Sequence, residues 1–391
     1  MTLRRLVVVG ASVAAGALIG QLRADGYQGR VTVIDDDPDA PYDRPPLSKE
    51  FLAGRDERPE APWWDGRCDF VRGRALSLAR RSGTVSVAGP GGELTRTSGD
   101  HVVIATGSAP IALPGQPAGV ACLRSAADAR RIRAHARPGE SVAIVGSGTI
   151  GTELASSLTR AGCQVTLIDM ADRPLDRFLG GHLGGEVTDW IEEAGVQLRL
   201  STQVTAIRAA GERWVVSTPE SDIPADLVIS AVGTRPAVAW LATAGLDVAN
   251  GVRCDADGTA LDRAGAPVPN VHAIGDASAW SSSSPGAAAL RYEDWTTAQR
   301  QGRHLARRLL GRPGHAQRDE QPYFWSHQFG RRIQVLGTPA RDAELVRHVY
   351  EPTRRAAFYT VERDGQPVAH IAVNSPREFT AAMRGALKIP A

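Results

Sequence analysis

The chain has 391 residues, of which 42% are hydrophobic and 23% charged, and its formal net charge is +2. This length allows two or three domains, the composition is typical of a soluble globular protein, and the small net charge does not indicate a nucleic-acid-binding protein. The four cysteines form no C-x-x-C pair and no metal-ligand spacing, so we expect reduced thiols in the cytoplasm and no metal site.

The first predicted elements form a nucleotide-binding unit. Residues 6–16, LVVVGASVAAG, predict a strand ending in a glycine-containing turn, and a helical segment and a second strand follow. The second strand ends in Asp35 and Asp36, and this order of strand, turn, helix, strand and acid is typical of dinucleotide binding. Ser12 and Ala15 replace the second and third glycines of the usual motif. Alanine is an accepted variant at the third position, whereas serine leaves less room for a pyrophosphate.

A signal peptide is the alternative interpretation of this first segment, because two arginines precede the apolar residues 6–19. A second copy of the unit later in the chain favours the nucleotide-binding interpretation. No other segment approaches the length of a transmembrane helix, so we expect no membrane association.

A proline-rich loop follows the first unit. Residues 41–49, PYDRPPLSK, contain three prolines, which exclude a regular element and give a stiff loop suited to holding a flat ligand. An ordinary surface loop is the alternative. Farther along, residues 101–107 predict a strand ending in a small-residue turn, and residues 111–119 predict a crossing between domains.

The second nucleotide-binding unit carries the complete G-x-G-x-x-G motif. Residues 141–153, SVAIVGSGTIGTE, predict a buried strand, the motif and the start of a helix, and a strand capped by Asp169 follows. Gly146 makes the tight turn, Gly148 lets the backbone approach a pyrophosphate, and Gly151 lets helix and strand pack closely. Two such units in one chain predict two dinucleotides, one giving electrons and one accepting them.

The last third of the chain changes character. Residues 270–276 predict a strand ending in Gly275-Asp276, and residues 296–310 predict a helix. From residue 322 onward, three antiparallel strands and a closing helix at 376–387 predict a separate third domain.

Together these motifs resemble one family, the two-dinucleotide flavoprotein reductases. They resemble in particular the NADH–ferredoxin reductases of bacterial cytochromes P450 and aromatic-ring dioxygenases, to which putidaredoxin reductase belongs. The most specific markers are short segments spread along the chain: Arg44-Pro45-Pro46-Leu47-Ser48-Lys49, Ala105-Thr106-Gly107, Gly275-Asp276, Glu293 with Trp295, Phe324-Trp325-Ser326, and Asn374 with Pro376-Arg377.

The resemblance implies an α/β fold with two Rossmann-type dinucleotide-binding domains and a C-terminal α+β domain. The FAD-binding domain would be discontinuous, at residues 1–109 and 246–314. The NADH-binding domain would occupy 110–245 and the C-terminal domain 315–391.

The same resemblance implies the site residues. The catalytic pair would be Lys49 and Glu153. The FAD-contacting positions would be Gly10, Ser12, Ala15, Asp35, Asp36, Arg44, Lys49, Ala105, Arg124, Gly275, Asp276 and Trp295. The NADH-contacting positions would be Gly146, Gly148, Gly151, Asp169 and Gly233.

The implied function is transfer of hydride from NADH to FAD and of single electrons to a small iron–sulfur protein, a 2Fe–2S ferredoxin, that feeds an oxygenase. The alternative is an FAD-dependent oxidoreductase acting directly on a small molecule such as a quinone or a biosynthetic intermediate. A redox-sensing interaction protein is a third class, which the lack of a long basic extension disfavours. A monomer or a homodimer is expected.

Lysine is rare in this chain, which has 45 basic residues but only two lysines, Lys49 and Lys388. Where arginine is used almost everywhere, a lysine suggests a site that needs a compact ammonium, although chance placement is the alternative. The resemblance places Lys49 beside flavin N5, paired with Glu153.

Two positions depart from the family pattern. Asp294 stands where the family commonly has histidine, and His327 stands where it commonly has aspartate. Independent drift is one explanation. An exchange within one contacting pair is the other, and it predicts that the two side chains lie within hydrogen-bond reach, directly or through one water.

Overall fold

The computed structural model describes residues 3–54, 67–281, 289–313 and 321–385. The chain divides into two compact units. Unit 1 comprises Met1–Asp43, Arg58–Ala109 and Arg235–Glu320, and unit 2 comprises Arg44–Glu57, Pro110–Thr234 and Gln321–Ala391. The expected three-domain division stays a prediction, and its boundary between 314 and 315 lies outside the described residues.

The helices of the described chain number seven. They are α1 Val13–Ala24, α2 Ala126–Ala134, α3 Thr149–Arg160, α4 Asp176–Leu179, α5 Gly184–Glu193, α6 Trp295–Leu309 and α7 Pro376–Met383. None of these described helices is long and apolar enough to span a bilayer.

The strands are short, as in most nucleotide-binding folds. They are β1 Arg5–Val9, β2 Arg30–Asp35, β3 Asp69–Arg72, β4 Arg74–Ala79, β5 Thr84–Ala88, β6 Leu94–Ser98, β7 His101–Ile104, β8 Ser108–Pro110, β9 Ser141–Val145, β10 Gln164–Ile168, β11 Gln197–Arg199, β12 Ala206–Ala210, β13 Arg213–Ser217, β14 Asp222–Ala225, β15 Leu227–Ser230, β16 Thr234–Pro236, β17 Val252–Cys254, β18 Thr259–Leu261, β19 Pro267–Ala273, β20 Ser278–Trp280, β21 Tyr323–Gln328, β22 Arg331–Gly337, β23 Glu344–Glu351, β24 Ala356–Arg363 and β25 Gln366–Val373.

Unit 1 is built on an eight-stranded sheet with the order β20-β17-β18-β19-β7-β1-β2-β3. Its centre is parallel: β1 pairs with β2 and with β7, and β7 pairs with β19. Residues 6–9 of β1 are all buried, as expected for a β-branched strand covered on both faces. Helices α1 and α6 pack against each other. The antiparallel strands β4, β5 and β6 form a separate sheet of the same unit.

Unit 2 contains a second parallel sheet, with the order β11-β10-β9-β15, and a small antiparallel sheet of β12, β13 and β14. Its third sheet is antiparallel, with the order β21-β22-β25-β24-β23, and α7 packs on it. One hydrophobic cluster joins the two larger sheets, since Ile144 and Leu158 belong to the same core as Val361 and Ile371. The parallel centre of the first sheet, the parallel sheet of unit 2 and the C-terminal antiparallel sheet confirm the predicted fold class.

Candidate functional site

The first nucleotide loop connects β1 to α1, and the carboxylate of Asp35 accepts a hydrogen bond from its backbone. Gly10 N–H donates to the carbonyl of Ile34 over 2.8 Å, and Ala11 N–H donates to Asp35 Oδ2 over 2.5 Å. Gly10 has φ +104°, and a Cβ there would lie 2.2 Å from the carbonyl oxygen of Ala105. Glycine is therefore required at this position.

The second loop, between β9 and α3, repeats this geometry. Gly146 N–H donates to the carbonyl of Ile168 over 2.7 Å, and both the N–H and the hydroxyl of Ser147 donate to Asp169 Oδ2. Gly146 has φ +108°, and a Cβ there would lie 2.4 Å from the carbonyl oxygen of Ala231. The predicted repetition of the unit is thus confirmed down to single hydrogen bonds.

The other two glycines of the complete motif differ in what surrounds them. A Cβ at Gly151 would lie 1.8 Å from the carbonyl oxygen of Gly146, whereas a Cβ at Gly148 would meet nothing within 4 Å. Gly151 therefore serves the close packing of helix on loop, and Gly148 borders the open space that a pyrophosphate needs. The residues present fit a bound dinucleotide at this loop.

The N-cap residues leave the first-turn N–H groups of both helices without a side-chain cap. Ser12 caps α1 and Gly148 caps α3, and neither makes a side-chain capping hydrogen bond. Backbone N–H groups of a first helical turn that a cap does not occupy can bind phosphate. Ala15, at the third motif position of α1, is fully buried.

The proline-rich loop contains one short regular element, contrary to the prediction. Residues Pro45–Ser48 form a single 3₁₀ turn with Arg44 as its N-cap. Two prolines fit there because the first residues of a helical turn need no N–H donor. This turn presents Ser48 and Lys49 to α3.

Lys49 and Glu153 form a buried ion pair, which confirms the predicted pairing. Lys49 Nζ lies 2.6 Å from Glu153 Oε2, and the two side chains are 11% and 3% exposed. The ammonium also donates to the carbonyl of Pro45 over 3.0 Å and contacts Ser48 Oγ at 3.3 Å. A buried charge is tolerated when it is paired and fully hydrogen-bonded in this way.

Two serines complete the coordination of the carboxylate. Ser48 Oγ donates to Glu153 Oε2 over 2.5 Å, and Ser326 Oγ donates to Oε1 over 2.6 Å. The ring of Trp325 lies beside the pair, with its centroid 5.6 Å from Lys49 Nζ. Residues 324–326 are recognisable in the sequence only as a family marker, and no role for Ser326 was predicted.

Three further predicted positions of unit 1 lie around β19 and the start of α6. Asp276 Oδ2 accepts from Ser108 Oγ over 2.8 Å, and Gly275 N–H donates to Gln301 Oε1 over 2.7 Å. Trp295 begins α6. Ser108 and Gln301 were not predicted, because a hydroxyl and an amide carry no motif of their own.

The other predicted residues lie at loop positions of their own units. Ala105 N–H donates to the carbonyl of Val9 at the end of β7, and Asp36 is exposed beside the first loop. In unit 2, Arg124 precedes α2 and donates its N–H to Asp128, and Gly233 follows β15 with φ +109°. Their assignment to cofactor contacts stays a prediction.

Asp294 and His327 belong to different units. Asp294 Oδ1 accepts from the N–H of Thr297 over 2.7 Å and so caps α6, a role that the sequence analysis did not predict. Burial raises the pKa of Asp294. Burial lowers the pKa of His327, and the charge of Arg332 lowers it further. The contact between the two side chains stays a prediction.

Comparisons with known proteins agree with this arrangement. Residues 4–302 match the family model described as pyridine nucleotide-disulphide oxidoreductase, and residues 323–387 match the one described as reductase C-terminal. The ferredoxin reductase component of chlorobenzene dioxygenase from Cupriavidus sp. (strain PS12) is 32% identical, over 97% of this chain and 91% of that protein. The ferredoxin–NAD(+) reductase component of the anthranilate 1,2-dioxygenase system from Burkholderia cepacia is 34% identical, over 97% and 93%.

Solved structures give the same result. The crystal structure of Fdr9 is similar with a TM-score of 0.86 and 33% identity, covering 99% of this chain and 96% of that one. The covalent putidaredoxin reductase–putidaredoxin complex is similar with a TM-score of 0.88 and 25% identity, covering 99% and 94%.

Proposed function

The chain belongs to the pyridine nucleotide-disulphide oxidoreductase family, whose model matches residues 4–302, and we propose that it is an FAD-dependent ferredoxin–NAD(+) reductase. The reaction takes electrons from NADH as hydride and delivers them singly to a small iron–sulfur protein that feeds a monooxygenase or a dioxygenase. The observation that carries the proposal is the pair of dinucleotide loops with the same carboxylate-closed geometry. Two such loops fit a chain that holds one dinucleotide permanently and exchanges the other.

FAD, when bound, supplies the group that accepts hydride and releases electrons one at a time. The loop of Gly10 and Asp35 would hold its ADP part, with Ser12, Ala15 and Asp36 beside it. Asp276 would accept hydrogen bonds from hydroxyl groups of the ribityl chain. Arg44, Ala105, Arg124, Gly275 and Trp295 complete the proposed FAD contacts.

NADH would bind at the loop of Gly146, Gly148 and Gly151, with Gly233 at the neighbouring strand end. Asp169 keeps lone pairs for a ribose hydroxyl after accepting from Ser147 and Ala171. Glu153 holds the Lys49 ammonium in place. The ammonium is the group that we assign to the hydride-transfer site.

The acceptor would be a 2Fe–2S ferredoxin. Two relatives support this, because they are named as ferredoxin reductase components of dioxygenase systems. We also propose the three-domain division given above, a cytoplasmic location consistent with four free thiols, and a monomer or homodimer.

The test is anaerobic mixing of the FAD-loaded, NADH-reduced chain with 2Fe–2S ferredoxins of dioxygenase systems and, separately, with a quinone. We expect reduction of at least one ferredoxin with a higher kcat/KM than that for the quinone, and no turnover by FAD-free chain. Faster turnover of the quinone than of every ferredoxin would instead support the small-molecule alternative.

A further inference from the structure

The two oxygens of the Glu153 carboxylate are held by different parts of unit 2. Oε2 receives Lys49 Nζ at 2.6 Å and Ser48 Oγ at 2.5 Å, both from the proline-rich loop. Oε1 receives Ser326 Oγ at 2.6 Å, and among the described residues Ser326 is its one hydrogen-bond donor. Ser326 is fully buried, so water does not replace this donor.

The hydroxyl of Ser326 is set to donate to the carboxylate. Gln328 Nε2 donates to Ser326 Oγ over 3.2 Å, which leaves the hydroxyl proton free to point at Glu153. Within the described chain, the other amide atom of Gln328, Oε1, is buried without a hydrogen-bond partner. The Gln328 side chain therefore donates a hydrogen bond to Ser326, while its own Oε1 accepts none from the described residues.

Contacts that do not involve Ser326 fix the strand that carries it. Phe329 N–H donates to Ser156 Oγ of α3 over 2.8 Å. Arg331 stacks on Trp190 at 4.6 Å and pairs with Glu193 at 3.2 Å, both on α5. The turn after β21 is thus anchored on two helices, so Ser326 can lose its hydroxyl without releasing the strand.

We propose that Ser326 is a positioning residue that fixes the Lys49 ammonium by holding the far oxygen of Glu153. A carboxylate anchored at one oxygen can turn about its terminal torsion, which is soft. Anchoring Oε1 fixes the carboxylate plane and keeps Oε2 directed at Nζ. The consequence for hydride transfer rests on the proposed function, whereas the positioning of Lys49 does not.

The two lysines of the chain make the positioning directly measurable. Protein labelled with ¹³C and ¹⁵N in lysine gives ammonium signals from Lys49 and Lys388 alone. We expect Ser326→Ala to shift the Lys49 signal and to speed exchange of its ammonium protons about tenfold, the size of one hydrogen bond to a charged group. The Lys388 signal serves as the internal reference, and Lys49→Arg assigns the spectrum.

Ser156→Ala is the matched control, because it removes a serine hydroxyl that binds the same turn to α3 without touching Glu153. It should leave the Lys49 signal unchanged. Ser326→Cys replaces the hydroxyl by a somewhat larger thiol that donates weakly, and it should reproduce the effect of Ser326→Ala if the alanine variant fails to fold. An unchanged Lys49 signal in a folded Ser326 variant, or an equal change in Ser156→Ala, overturns the proposal.

A double-mutant cycle in the holoenzyme tests whether Ser326 affects flavin reduction through Glu153. Ser326→Ala should lower the limiting rate of flavin reduction by NADH about tenfold with unchanged NADH affinity, and should change it less than about twofold in a Glu153→Gln background. An equal loss in both backgrounds shows that Ser326 acts independently and contradicts the proposal. If NADH fails to reduce the parent enzyme, the proposed function fails, and the lysine spectra still decide the positioning.

Discussion

The ammonium of Lys49 has three acceptors within 3.3 Å: a carboxylate, a carbonyl and a hydroxyl. These three acceptors use all three N–H donors of the lysine ammonium. The donors of an ammonium point in tetrahedral directions, whereas those of a guanidinium lie in one plane. A guanidinium at this position would need acceptors that lie in its own plane, and it would occupy more volume than the ammonium. The use of lysine in an arginine-rich chain therefore has a local physical reason.

Lys49→Arg is expected to slow flavin reduction by NADH about tenfold or more while FAD stays bound, because the charge is displaced from the reacting atoms. Stopped-flow absorbance measures the rate, and the flavin-to-protein ratio shows occupancy. An unchanged rate would remove Lys49 from the hydride-transfer site.

Asp169 determines the expected preference for NADH. Its carboxylate would repel a 2′-phosphate, and the nearby Arg173 is engaged with the carbonyl of Gly181 over 2.8 Å. We predict a kcat/KM for NADH at least about tenfold above that for NADPH, and a smaller ratio in Asp169→Asn. The exposed Asp222→Asn serves as the control. Comparable values for both nucleotides in the parent enzyme would contradict this prediction.

At the scale of elements, the two nucleotide loops show how the same residue type meets different demands. Glycine at 146 is required by a positive φ and a carbonyl 2.4 Å from the missing Cβ, whereas glycine at 148 borders open space. The first loop has Ser12 at the position equivalent to Gly148. The two loops are thus alike in backbone and different in the room left above the helix.

Gly148→Ala is expected to keep the stability of the protein and to weaken NADH binding about tenfold or more, because its Cβ occupies the pyrophosphate space. Gly146→Ala is expected to lower the free energy of unfolding by more than about 1 kcal/mol. Thermal melts and NADH titrations separate the two effects, with FAD content as the common control. A normal NADH affinity in Gly148→Ala would show that the pyrophosphate does not approach this residue.

The elements with strong local signals were predicted well from the sequence. Both β-branched strands with their motifs, and the acids Asp35 and Asp169, lie where the pattern placed them. Strands β21 and β23 were not predicted: β21 carries polar and aromatic residues on both faces, and β23 is an exposed edge strand. Neither pattern alternates between apolar and polar residues, and pairing with neighbouring strands decides their structure.

At the scale of the whole molecule, the least predictable features join distant segments. Ser326 meets Glu153 across 173 positions of sequence, and no local pattern encodes such a contact. The same holds for a histidine pair in the core of unit 1, where His101 Nδ1 lies 2.9 Å from His272 Nε2. Composition predicts neither contact, because both depend on how the strands are ordered in space.

The histidine pair predicts an acid-sensitive unit 1. Burial, with a smaller contribution from the charge of His101, lowers the pKa of His272 to about 3. An unfolded histidine takes up a proton near pH 6.5, so stability should fall as the pH drops from there toward 3, by at most about 1.4 kcal/mol per pH unit. His272→Gln should flatten this dependence in urea unfolding curves recorded at about pH 7 and about pH 5.

An equally steep loss of stability in His272→Gln and in the parent protein would assign the acid sensitivity to other groups.

The partners of the Glu153 carboxylate lie far apart in the sequence, so they are synthesised at different times. Lys49 precedes it by 104 positions and Ser326 follows it by 173. At about 5–20 residues per second on the ribosome, Glu153 emerges roughly 10–35 s before the serine that completes its surroundings. Until then, Oε1 of Glu153 lacks the donor that it has in the complete structure. The surroundings of Glu153 are therefore complete only once residue 326 has been translated, and a chain arrested before it would carry both nucleotide loops but not the serine that holds Oε1.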